Sequence, residues 1–207
     1  MISAGARGNM RKMCLIKKDN NARVMVFIDL RNITKGAAKE ISGPFIVDFV
    51  SMTEQLVDGR NLKAAYVFDG RGEILSEDTA VALHHKLEFD GFRVITRPSL
   101  ESEGREQKEV DVAMACRMLR HALNDDFDTA IVVSGDRDFV PAIEMMQEAG
   151  KTVEAASFSQ CKSRAIERAA DICHNLSSMP IMKVIQTPEP ADVVPVGAME
   201  GEVAEAV

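Results

Sequence analysis

Four aspartates hold positions from which they could act on one substrate. Asp29 directly follows the apolar run VMVFI at 24–28. Asp136 and Asp138 come three and five residues after a second such run, TAIVV at 129–133. Asp111 lies in the expected first turn of a helix over 108–123, with Met114 and Ala115 three and four residues on, so it shares an apolar helix face. A carboxylate on such a face is unfavourable unless a metal or a basic residue pairs with it. Acids gathered from separate segments suit Mg²⁺ or Mn²⁺, hard ions that prefer oxygen ligands. Ions held this way polarise a phosphodiester, lower the pKa of bound water and stabilise the leaving oxygen. Each acid also has a plainer role open to it. Asp136 or Asp138 could cap the helix beginning near Phe139, and Asp111 could complement a helix dipole.

The elements that must position these acids alternate. Strands are expected at 24–28, 63–68, 92–96, 129–133 and 152–156, and helices at 45–57, 76–90, 108–123, 139–149 and 161–169. Residues 29–44 and 100–107 read as loops. Pro44 fits the first turn of the 45–57 helix, while Gly91 and Gly150 fit helix C-terminal ends. Uniformly apolar strands alternating with helices indicate an open, largely parallel α/β sheet. In such sheets ligands bind beyond the carboxyl ends of the strands, where Asp29, Asp136 and Asp138 fall.

A chain of 207 residues, 46% hydrophobic and 28% charged, fits one domain with tails. Residues 1–21 read as a flexible basic arm, 22–176 as the domain, and 177–207 as a disordered, acidic, proline-containing tail. No apolar run approaches membrane-spanning length, so no membrane partner is expected. The four cysteines lack zinc-site spacing and point to a reducing compartment, the cytoplasm. A net charge of -7 argues against bulk non-specific nucleic-acid binding, yet acids awaiting metal and a local basic rim remain compatible with a nuclease. Arg31, Lys35, Arg71, Arg97 and Arg137 are the rim candidates. Asp69 reads as a turn acid before Gly70. His84 and His85 have no acid or cysteine at ligand spacing, and His121 and His174 read as structural.

The blocks 27–32 (FIDLRN), 108–115 (KEVDVAMA) and 132–141 (VVSGDRDFVP) resemble, in order and spacing, the signature blocks of the NYN domain. They are most similar to its LabA-like branch, within the PIN-like nuclease superfamily, over roughly residues 23–176. The resemblance implies a three-layer α/β/α PIN-like sandwich, Mg²⁺ or Mn²⁺, and an RNA substrate, single-stranded by preference and cut internally. It implies that Asp29, Asp111, Asp136 and Asp138 form the acidic, metal-holding site. Asn32 would orient water or phosphate, and Ser134 would contact a metal-bound water or phosphate. Lys108, one helical turn before Asp111, is a candidate for holding a substrate phosphate. Two positions depart from the pattern: Glu109 replaces a common glycine, and Arg117 stands where many relatives carry a further acid. The alternative is a non-catalytic PIN-like module that binds RNA or protein, and a homodimer stays open. A haloacid-dehalogenase-type phosphatase would need a second aspartate where Arg31 stands. A dinucleotide-binding enzyme would need a G-x-G-x-x-G after the first strand, which is missing.

Overall fold

Strands buried on both faces must be apolar throughout, and this protein's central strands are. In the computed structural model, which describes residues 19–70, 77–97 and 105–184, the first strand β1 (Arg23–Asp29) is buried from Val24 to Asp29. It is followed by α1 (Leu30–Glu40), β2 (Phe45–Val47), α2 (Phe49–Val57), β3 (Asn61–Gly70), α3 (Glu77–Phe89), β4 (Arg93–Arg97) and α4 (Arg105–Leu123). Then come β5 (Thr129–Val133), a 3-10 turn (Arg137–Phe139), α5 (Val140–Glu148), β6 (Thr152–Ser157), α6 (Arg164–Ala169), β7 (Ile172–Asn175), a second 3-10 turn (Leu176–Ser178) and β8 (Met182–Val184).

Six strands form one parallel sheet in the order β4-β3-β1-β5-β6-β7, and β2 pairs antiparallel with β8. Alternate residues of β1 enter two separate cores. Val24, Val26 and Ile28 pack with Ile33, Met52, Leu56 and Leu87 from α1, α2 and α3. Met25 and Phe27 pack with Met114, Met118, Ile143 and Ile166 from α4, α5 and α6. The result is the expected three-layer α/β/α sandwich. No described helix is long and apolar enough to cross a membrane, and Cys116, Cys161 and Cys173 are free thiols.

Several boundaries differ from expectation, each for a physical reason. The segment after Asp29 is a helix, not a loop. Its glycine is a packing residue: a Cβ at Gly36 would lie 2.6 Å from Cδ2 of Phe158. Residues 45–47 are a strand rather than a first helical turn, because they pair with β8. Asp48 then caps α2 by accepting from the Ser51 amide. Helix α4 starts at Arg105, so Asp111 sits in its second turn, beyond the reach of the terminal dipole. Helix α6 starts at Arg164 rather than 161, where Ser163 accepts from the Ala165 amide. Residues 177–184, expected to open the tail, carry a 3-10 turn and β8. The arm at 1–18 and the tail at 185–207 lie outside the described residues.

One ion pair is fully buried. Arg60 and Glu154, each with a side chain 1% exposed, meet through Nη1–Oε1 at 2.6 Å and Nη2–Oε2 at 3.1 Å. Arg60 also donates to the Leu56 and Val57 carbonyls at the end of α2, and His174 Nε2 lies 2.7 Å from Glu154 Oε2. Burial pushes Glu154 up, but hydrogen bonds to His174 and Arg60 outweigh it and hold the carboxyl below its ordinary value. Removing one partner strands the other charge, so Arg60→Met is expected to destabilise the fold by about 3–5 kcal/mol. Urea unfolding measures this; a change below about 1 kcal/mol would show that the pair is dispensable.

Candidate active site

The sheet order reverses at β1. The chain runs outward through β3 and β4, then returns to β5, β6 and β7 on the other side. The segments leaving the carboxyl ends of β1 and β5 therefore diverge and open a crevice, the usual ligand position in such sheets. Asp29 ends β1, and Ser134, Gly135 and Asp136 follow β5.

A closed set of hydrogen bonds ties the two segments together. The Ser134 hydroxyl donates to Asp29 Oδ2 at 3.1 Å and accepts from the Asp136 amide at 3.1 Å. Asp29 Oδ1 accepts from the Asn32 amide at 3.0 Å, capping α1. Asn32 Oδ1 in turn accepts from the Gly135 amide at 3.0 Å. Asp136 Oδ1 accepts from the Asp138 amide at 3.0 Å, capping the 3-10 turn. Capping and clustering thus coexist in Asp29 and Asp136.

Asp29 is 3% exposed. Its carboxyl is pushed up to about 6, first by burial and then by the negative charges of Asp111 and Asp136, against the opposing bonds from Asn32 and Ser134. The three acids therefore share one electrostatic environment. Asp138 is far more open than Asp29: its side chain is 72% exposed, and its Oδ1 lies 3.9 Å from Arg137 Nε. The tight turn that gives its amide to Asp136 leaves its carboxylate at the surface. Asn32 and Ser134 sit in the crevice, where their side-chain oxygens brace the backbone and Asp29. Lys108 lies in α4, but its side chain is outside the described residues.

Arg117 does not enter the cluster. Six residues carry a helix about 9 Å along its axis and well round from Asp111. Arg117 instead covers the Tyr66 ring, with its guanidinium carbon 5.6 Å from the centroid. Two features escaped the sequence. Gly135 is required by close approach, since a Cβ there would lie 2.1 Å from the Cys161 carbonyl oxygen. His84 has an acid partner after all, with Nε2 2.7 Å from Asp69 Oδ2. That partner comes from a neighbouring strand, so no helical spacing could reveal it.

All donors gathered at the crevice are oxygens, which fits a hard divalent ion. Among the described residues no three His, Cys, Asp or Glu side chains are already close enough to enclose an ion.

The parallel sheet, its two helical layers and the acids at the switch point define a PIN-like α/β/α protein. Residues 23–177 match the NYN domain, and the chain belongs to the NYN domain family, within the PIN-like nuclease superfamily. Its fold is similar to the crystal structure of a protein of unknown function from Vibrio parahaemolyticus. The TM-score is 0.65 and the identity 20%, over 78% of this chain and 96% of that one. No curated protein matches the chain.

Proposed function

We propose that this protein is a metal-dependent endoribonuclease of the LabA-like branch, cutting single-stranded RNA in the cytoplasm. The observation that carries the reading is Asp29, a buried carboxyl raised to about 6 beside two further acids at the switch point. Crowding negative charge in a dry crevice is unfavourable for folding alone, and a bound cation reverses the sign of that interaction. Asp29, Asp111 and Asp136 would hold Mg²⁺ or Mn²⁺, with Asp138 and Lys108 at the rim. The ion's contribution would be to polarise the phosphate and lower the pKa of a bound water. The chain's own contribution is preorganisation: Ser134 and the Asn32 amide fix both Asp29 oxygens, and the Asn32 side chain sets the loop that carries Asp136.

The test is incubation of labelled RNA and DNA, single- and double-stranded, with Mn²⁺, Mg²⁺ or EDTA. Single-stranded RNA is expected to be cut with either metal and to survive in EDTA. Asp136→Asn keeps the size and one acceptor oxygen but removes the charge, so it should reduce the rate by about 100-fold or more with the fold intact. Cleavage that persists in EDTA or in Asp136→Asn places the activity elsewhere. Folded, metal-loaded protein that binds RNA without cutting it supports the non-catalytic reading, for which the missing acid at Arg117 is the motive.

A further inference from the structure

Beside the carboxylate crevice, on the same face of the sheet, two arginines share one aromatic ring. Arg93 begins β4 and is exposed; its guanidinium carbon lies 5.3 Å from the Tyr66 centroid, and its Nη1 donates to the Tyr66 hydroxyl at 2.7 Å. Arg117 reaches the same ring from α4 at 5.6 Å and is half-buried. The ring is held from behind: it stacks on Phe27 with centroids 5.7 Å apart, and its hydroxyl lies 3.0 Å from His121 Nε2. His121 Nδ1 lies in turn 2.6 Å from Asp126 Oδ2.

The charges on this platform are unbalanced. The chain carries 32 acids against 25 Lys and Arg; Arg23 pairs with Asp125 and Asp128, and Arg60 with Glu154. Arg93 and Arg117 have no carboxylate partner among the described residues. A guanidinium carries five N–H donors along its edges, and the Tyr66 hydroxyl takes one from Arg93. Those edges match the oxygens of a phosphate.

The position is informative too. Arg93 pairs in register with Tyr66, and Tyr66 with Phe27, two residues before Asp29. By strand spacing, Arg93 lies about 12 Å from Asp29 across the sheet. We propose that Arg93 and Arg117, gathered over Tyr66, form a phosphate clamp that grips the RNA strand beside the bond to be cut. The clamp deepens the nuclease reading and rests on it for the identity of the polyanion. It also gives Arg117 a positive use in place of the acid found in many relatives.

The experiment measures binding separately from cleavage. Fluorescence anisotropy of a labelled single-stranded oligoribonucleotide is titrated with the full chain in EDTA, across a range of salt concentrations. The double variant Arg93→Gln/Arg117→Gln is expected to bind about tenfold more weakly at low salt. Its slope of log affinity against log salt should be shallower by about 1.4, two phosphates at about 0.7 each. Arg93→Lys/Arg117→Lys should keep most of the slope, and Lys39→Gln, on the opposite helical layer, should leave it unchanged. With metal present, the double glutamine variant should raise KM and spare kcat. If that variant fails to fold, Arg93→Gln alone carries the test with half the change in slope. An unchanged slope in a folded glutamine variant, or an equal fall in Lys39→Gln, overturns the clamp. A lost slope in a protein that never cuts RNA upholds the clamp and sinks the nuclease reading; wild-type cleavage with an unchanged slope does the reverse.

Discussion

Asp29→Asn is expected to make the metal-free protein more stable at pH 8 while reducing RNA cleavage about 1,000-fold. The stability effect follows from the raised carboxyl. An aspartate in the unfolded chain titrates near 3.9, whereas folded Asp29 titrates at about 6. The folded state therefore binds the proton more tightly, and stability falls as pH rises from about 4 to about 6. Below that window both states are protonated and no penalty exists. Above it both are ionised and the full penalty applies, at most about 3 kcal/mol for a shift of roughly two units. Asparagine is neutral throughout but gives up one acceptor, a loss of about 1 kcal/mol. The variant should thus gain about 1–2 kcal/mol at pH 8 in EDTA and nothing at pH 4. Urea unfolding at the two pH values reads this directly; a variant less stable than wild type at pH 8 would contradict it. A divalent ion binding only the folded state stabilises wild type, and the variant should lose most of that response. The fall in rate corresponds to about 4 kcal/mol of transition-state stabilisation. Opposite signs for stability and activity at one position separate a functional carboxylate from a structural one.

The parts of the fold legible in the sequence are those with a local signature. β1 and β5 are short apolar runs because both their faces are covered, and Asp29 and Asp136 stand out because such runs end just before them. Features set by distant partners were not legible. Gly36 fell in a segment read as a loop, and the reason for it is Phe158, just past the end of β6. β2 is a strand only because residues 182–184 lie beside it. Arg60 meets Glu154 across 94 positions of sequence. Within the site, spacing could bring Asp138 to the right edge of the sheet, but it could not show that the turn aims its side chain at solvent. Arg117 looked like a missing ligand; in the fold it belongs to a different flank of α4 from Asp111.

Gly135→Ala should be the most damaging single-methyl change near the site. The added Cβ would lie 2.1 Å from the Cys161 carbonyl oxygen, 2.7 Å from its carbon and 3.2 Å from the Lys162 Cα. All three are backbone atoms, so no side chain can rotate away. Gly135 is also pinned at both ends. Its carbonyl accepts from the Ser163 amide at 3.1 Å, and its amide donates to Asn32 Oδ1 at 3.0 Å. Relief requires the 161–163 backbone to retreat, breaking the first bond, or the 134–136 segment to shift, breaking the second. Overpacking plus one broken hydrogen bond should destabilise the protein by about 2–4 kcal/mol. A shift of the 134–136 segment moves Ser134 and Asp136 relative to Asp29, and displacements near 1 Å can reduce a rate about 100-fold. Asn32→Ala severs the same tie with no steric clash and leaves all the carboxylates in place, so its rate loss should be smaller. Thermal unfolding and single-turnover cleavage of the two variants distinguish steric displacement from loss of the tie. If Gly135→Ala keeps wild-type melting and rate, the approach of the 161–163 backbone is not what positions this site.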